Sequence, residues 1–155
     1  MIRVLFVCHG NICRSPMAEF LFKDYVRKKG LDNEFYIESA ATSLEEIGNP
    51  VHPGTRRILD KLGIDCSKKR ARRICYNDYD KFDYIIFMDS NNLTRLYGLF
   101  YPYNLNMDKF HLLLGFTGKP RDVADPWYTG DFNKTYEDIM EGLECFFKKV
   151  YQEEK

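Results

Sequence analysis

The sequence predicts an α/β fold in three layers. A four-stranded parallel sheet carries helices on both faces, and one domain spans residues 1–155. Three observations predict it. Val4-Leu5-Phe6-Val7 and Tyr84-Ile85-Ile86-Phe87-Met88 are continuous apolar runs, as expected of strands buried on both faces. Strand-like and helix-like segments alternate along the chain, the pattern of a parallel sheet with helical crossovers. Tyr136, Ile139, Met140, Leu143, Phe147 and Val150 recur at helical spacing, which gives a long last helix with one apolar side.

The elements follow in order. After the Val4–Val7 strand, Pro16 to Lys29 reads as a helix with proline in its first turn, stopped by Gly30. Phe35 to Ala40 reads as the second strand. A loop around Gly48-Asn49-Pro50 leads to a helix that starts near Pro53, with Ile58, Leu59 and Leu62 on its apolar side. Tyr84–Met88 is the third strand, and Leu93, Leu96 and Tyr97 mark a short helix after it. A weaker fourth strand is expected near Asn106 to Phe110, and Asn133 is a candidate cap for the last helix.

Composition narrows the function classes. Apolar residues make up 45% and charged residues 30%, which excludes disorder. Lys+Arg and Asp+Glu both number 23, so no global field points to nucleic acid or to a membrane surface. No apolar stretch approaches the ~20 residues that span a bilayer. Met1 to Val7 is too short for a signal peptide, and the five cysteines lack framework spacing. A reducing, cytoplasmic setting is expected.

The chemistry concentrates in Cys8-His9-Gly10-Asn11-Ile12-Cys13-Arg14-Ser15, between the first strand and the first helix. A strand that ends in a tight Gly/Asn loop and turns into a helix aims successive N–H groups at one point and so forms an anion cradle. A cysteine at the start of that loop sits where a thiolate is favoured. An arginine at its end supplies a planar fork for two phosphoryl oxygens, which lysine does not copy. Gly10 and Asn11 are residue types that tolerate positive φ. Cys8, His9 and Cys13 match no common zinc spacing, and neither a metal nor a cofactor is expected. Lys68-Lys69-Arg70-Ala71-Arg72-Arg73 reads as a solvated basic face, and His52 and His111 have no evident partners.

Cys8-x-Gly-Asn-Ile-Cys-Arg-Ser-Pro resembles the signature of the low-molecular-weight protein tyrosine phosphatases. Glu38-Ser39-Ala40-Ala41-Thr42-Ser43, Ile47-Gly48-Asn49-Pro50, Phe82 to Asp89 and Asp125-Pro126-Trp127-Tyr128 resemble further segments of that family, in the same order. The resemblance implies hydrolysis of phosphotyrosine in proteins, with inorganic phosphate or vanadate as inhibitors. It implies that Cys8 attacks phosphorus and carries the phosphoryl group as a phosphocysteine. Arg14 would bind equatorial oxygens, and residues His9, Gly10, Asn11, Ile12, Cys13 and Ser15 would line the phosphate site. Asn11 and Ser39 would brace the loop, and Asp125 would act as general acid and then base. Trp127 and Tyr128 would wall the cleft. Asp89 occupies a family position near the site and equally fits a helix cap.

Two departures stand out. Many relatives carry an aromatic residue on the rim after Thr42-Ser43, whereas this chain has Leu44-Glu45-Glu46, which favours substrates with basic flanks. Ser67-Lys68-Lys69-Arg70 lacks a histidine that many relatives place there. Cys13, on the same loop as Cys8, is expected to trap oxidised Cys8 as a disulfide. Two other activities share the scaffold. Arsenate reductases need extra cysteines after the third strand, and Ser90 to Phe116 contains none. Protein-arginine phosphatases carry threonine where this chain has Ile12.

Overall fold

The computed structural model describes residues 1–154, with side chains placed as far as Tyr151. Among the described residues are four parallel strands: β1 (Ile2–Cys8), β2 (Phe35–Ala41), β3 (Tyr84–Phe87) and β4 (Phe110–Leu112). Their spatial order is β2-β1-β3-β4. Val4 of β1 lies opposite Ile37 on one side and Tyr84 on the other, which puts β1 at the centre of the sheet.

Alternation along β1 decides the two cores, since successive side chains of a strand face opposite ways. Val4 and Phe6 join Met17, Phe22, Leu143 and Phe146 in one apolar cluster. That cluster is roofed by α1 (Arg14–Lys28), α2 (Pro53–Lys61) and α6 (Phe132–Glu154). Leu5 and Val7 join Phe82, Leu96 and Phe100 in a second cluster beneath α3 (Tyr76–Lys81) and α4 (Ser90–Phe100). The remaining helix is the four-residue α5 (Pro126–Thr129). Both faces are covered, as the unbroken apolar strands require. Among the described residues, no helix is long and apolar enough to cross a membrane.

Local chemistry moves several boundaries. Helix α1 begins at Arg14, two residues before Pro16, whose missing N–H falls in the first turn, where no intrahelical partner exists. It ends at Lys28, and Gly30 at φ +73° lets Gly30 and Leu31 N–H groups return to the carbonyls of Arg27 and Val26. The fourth strand is Phe110–Leu112, not Asn106–Phe110. Asn106 Oδ1 instead accepts the Asp108 N–H at 2.9 Å and starts a 3-10 turn over Met107–Lys109. Met88 leaves β3 because its N–H is taken by Asn92 Oδ1. Helix α6 starts at Phe132 and is capped by Asp131, whose Oδ1 accepts from Lys134 N–H, so Asn133 is not the cap. Helix α3 lacks a long apolar period and was not expected from the sequence. Asp78 holds its start by accepting the Cys75 N–H at 2.8 Å.

Candidate active site

The loop between β1 and α1 closes around sulfur. Asn11 N–H and Ser15 N–H donate to Cys8 Sγ at 3.3 and 3.4 Å, and Ser15 Oγ lies 3.0 Å from it. The sharp turn falls on Asn11, at φ 60° and fully buried, a conformation that asparagine tolerates better than other non-glycine residues. Its side chain fixes the turn: Nδ2 donates to Ser15 Oγ and Ser39 Oγ, and Oδ1 accepts the Arg72 N–H. Gly10 does not use the positive φ that the sequence suggests; a Cβ there would meet Glu46 Cγ at 3.2 Å.

Beneath the loop lies a buried polar chain that sequence reasoning missed. Ser39 Oγ donates to Glu19 Oε1 at 2.5 Å, and Lys23 Nζ reaches Glu19 Oε2 at 2.6 Å. Lys69 Nζ donates to Ser39 O at 2.8 Å and stands 3.4 Å from Glu19 Oε1. Burial draws the Lys69 ammonium below its ordinary range although Glu19 opposes this. Arg72 is forked onto Asp78 at 3.0 and 3.1 Å. Two of the five basic residues in the run therefore brace the loop: Lys69 and Arg72 turn inward, while Lys68, Arg70 and Arg73 stay exposed as a solvated face. The one legible signal was Glu19, an acid in the apolar side of an amphipathic helix.

Arg14, 2% exposed, is held from three sides. Nη1 lies 2.8 Å from Asp89 Oδ2 and donates to Val123 O at 3.0 Å, and Nη2 lies 3.3 Å from Asp125 Oδ2. Burial works against the guanidinium charge. The charges of Cys8, Asp89 and Asp125 outweigh it, so its pKa is shifted upward. Asp89 does both things the sequence allowed, since its Oδ1 also accepts the Asn92 N–H at 2.8 Å and caps α4. Asp125 caps α5, with Oδ1 accepting the Trp127 N–H at 3.0 Å.

A cleft of about 640 Å³ opens above this floor. Its lining includes Ile12, Asp125, Trp127 and Tyr128 together with Glu45 and Glu46. Trp127 is 62% and Tyr128 85% exposed, which leaves their faces free for a flat ring. The expected site residues are thus gathered around one cavity, apart from Asn11, Ser15 and Ser39, which are buried and do not line it. His9 and Glu45 both line the cleft, with His9 Nε2 lying 2.9 Å from Glu45 Oε2. Thr94 and Arg95 of α4 extend the lining beyond the expected set. Cys13 is buried, and burial first, then the Cys8 charge, push its thiol up to about 12. Among the described residues, no group of three or more His, Cys, Asp or Glu side chains is placed to hold a metal ion.

A family model described as low molecular weight phosphotyrosine protein phosphatase matches residues 3–155. The chain belongs to this family. The low molecular weight protein-tyrosine-phosphatase YfkJ of Bacillus subtilis is 41% identical over 155 residues, covering 100% of this chain and 99% of the relative. A low molecular weight phosphotyrosine protein phosphatase of Schizosaccharomyces pombe is 38% identical over 161 residues, covering 96% and 97%. The crystal structure of YfkJ superimposes with a TM-score of 0.93 and covers 100% of this chain and 98% of that one. A Drosophila arginine phosphatase superimposes with a TM-score of 0.87 at 31% identity, covering 96% and 98%. The low molecular weight phosphatase fold is therefore shared by proteins named for two different phosphoryl substrates.

Proposed function

We propose that this chain hydrolyses phosphotyrosine in proteins through a phosphocysteine on Cys8. The observation that carries the reading is the set of donors around Cys8 Sγ, with the buried Arg14 interacting with its charge. A thiolate so held is the attacking species, and the same loop amides and Arg14 receive the equatorial oxygens as charge spreads over them. An arriving phosphoryl dianion takes the Arg14 Nη2 that Asp125 contacts at 3.3 Å and releases that carboxyl toward the leaving oxygen. Asp125, having taken up a proton on leaving the guanidinium, gives it to the departing phenolate, whose conjugate acid has a pKa of ~10. Deprotonated, it activates water against the phosphocysteine.

Substrate choice is read from the walls. Ile12 is half-buried in the cleft and presents a branched apolar surface to a phenyl ring, without a hydroxyl for a guanidinium. Trp127 and Tyr128 supply the facing aromatic surface. With Cys8 buried among the lining residues, the long tyrosine side chain is expected to reach it better than phosphoserine. Phosphotyrosine is expected to exceed phosphoserine and phosphoarginine by at least about 100-fold in kcat/KM, the scale that pocket contacts supply.

The test has two arms. Matched phosphotyrosine, phosphoserine and phosphoarginine peptides establish the ranking; a wild type that prefers phosphoarginine overturns the tyrosine assignment. Acid quenching during turnover should trap phosphocysteine in the wild type and not in Cys8→Ser, which should be inactive while still binding vanadate. Appreciable hydrolysis by Cys8→Ser between pH 5 and 8 would overturn the mechanism.

A further inference from the structure

His52 lies outside the sequence motif and outside the cleft lining, yet it touches both halves of the site. Its backbone N–H donates to Ile12 O at 2.9 Å and so clips the phosphate loop to the start of α2. Three residues on, Thr55 Oγ1 donates to Cys13 O at 3.0 Å and fastens the same loop again. The imidazole faces the other way. Its Nδ1 accepts the Gly54 N–H at 3.0 Å and caps α2. One ring face lies on Phe132 with centroids 5.1 Å apart and planes at 21°, and the ring meets Trp127 edge-on at 6.1 Å and 79°.

Those two aromatic residues flank the acid. Trp127 belongs to α5, whose cap is Asp125, and Phe132 opens α6 immediately after α5. Helix α5 has four residues, too few to hold a direction by its own hydrogen bonds. Phe132 also sits hard on the first turn of α2: a Cβ on Gly54 would fall 2.4 Å from its ring atoms. Close packing at this point thus locks the α5–α6 junction against α2, and α2 is already clipped to the phosphate loop.

We propose that His52 is the positioning residue that sets the angle of α5 against the phosphate loop and thereby aims Asp125. The inference rests on the reading of Asp125 as proton donor. Histidine suits the position because it combines two properties: a ring nitrogen that accepts the helix-capping N–H, and a flat face and edge for Phe132 and Trp127. Asparagine retains the first alone, and phenylalanine the second alone.

That split supplies the test. kcat/KM is measured on the full chain with phenyl phosphate and p-nitrophenyl phosphate, together with inhibition by inorganic phosphate and the emission of Trp127, the chain's one tryptophan. His52→Asn keeps the cap and deletes the ring. It should lose about 5–10-fold on phenyl phosphate, the rate equivalent of an aromatic contact, and less than about twofold on the nitrophenyl ester. Phosphate inhibition should stay unchanged, and Trp127 emission should move to the red. His52→Phe should restore most of the phenyl phosphate rate and the emission. Equal losses on both esters, or a weakened grip on phosphate, would mean that His52 merely supports the fold and would overturn the proposal. So would an unchanged His52→Asn enzyme. Asp125→Asn is the control that separates the two readings. If it shows no leaving-group dependence, the acid assignment fails, and the emission shift still decides whether His52 holds α5. If it shows that dependence while His52→Asn does not, the positioning role fails alone.

Discussion

The floor of the cleft and its acid-bearing wall are built on opposite plans. The floor is the Cys8–Ser15 loop, buried, stitched to β2, α2 and the Arg72 segment by hydrogen bonds, and underlaid by Glu19 and Lys69. The wall is a four-residue helix whose Trp127 and Tyr128 stand mostly in solvent. The difference follows from what each must do. Oriented dipoles stabilise developing charge only if they need not reorganise when it appears, so the phosphate cradle is fixed in advance. A proton donor must release Arg14, serve a leaving group and then admit water, so it heads a short, largely exposed helix that is set by side-chain packing against His52. Buried hydrogen bonding and exposed aromatic surface are thus divided between two segments, and Arg14 touches both.

The comparison can be broken first at that joint. Arg14→Lys keeps a charge and loses the fork that faces Asp89, Val123 O and Asp125. It is expected to cost about 10³-fold in kcat/KM on every aryl phosphate regardless of leaving group, since a lost donor to developing oxyanion charge costs on the order of 10²–10³. Asp125→Asn should behave in the opposite way. A loss of about 10²–10⁴ is expected on phenyl phosphate and a much smaller one on the nitrophenyl ester. A plot of log kcat/KM against leaving-group pKa distinguishes them: parallel to wild type for Arg14→Lys, steeper for Asp125→Asn. Identical slopes would erase the proposed division of labour.

A smaller effect concerns the second thiol of the floor. Cys13 is held protonated by burial, with a pKa of about 12, and a resolving thiol reacts as its thiolate. After peroxide converts Cys8 to the sulfenic acid, attack by Cys13 forms the disulfide and releases water. Recovery with dithiothreitol should therefore be more complete after oxidation at pH 9 than at pH 6, and Cys13→Ser should over-oxidise at both. Equal recovery of the two proteins at pH 9 would remove Cys13 from that role. The same raised pKa makes stability pH-dependent. An unfolded Cys13 thiol ionises near ~8.5 while the folded one does not, so stability is complete below that value and falls as pH rises toward 12. Alkaline melting should be less steep for Cys13→Ala.

The smallest effect belongs to the rim. Glu45 is exposed and faces His9 at 2.9 Å, and exposed ion pairs contribute at most about 1 kcal/mol. Glu45→Gln should lower kcat/KM about two- to fivefold for phosphotyrosine peptides with flanking lysines. It should leave neutral peptides unchanged, and the difference should shrink in high salt.

How much of this was legible in the chain depends on how local the cause is. The phosphate loop could be read because its function is written in consecutive residues, Cys8 to Ser15. The sheet could be read because Val4–Val7 and Tyr84–Met88 have no polar face. Asp125-Pro126-Trp127-Tyr128 was legible by resemblance, although nothing in that tetrapeptide says where it folds. What stayed hidden was pairing across the chain. Lys69 reads as one more lysine in a basic run until Ser39 and Glu19 are brought beneath it. His52 has no partner in sequence, because Ile12 lies 40 residues before it and Phe132 80 residues after it. Asn106 read as the edge of a strand because the apolar residues after it outweighed its own tendency to turn the chain.

Asp89 has a further consequence. One carboxylate oxygen stops the amide end of α4, and the other grips Arg14. The scaffold and the chemistry therefore share a single side chain, and neither can drift without the other. An amide at position 89 would still finish the helix but would surrender the charge, so Asp89→Asn separates architecture from reactivity at one atom. The same economy restricts how this cleft can be remodelled: any substitution that rotates the first turn of α4 also turns the arginine.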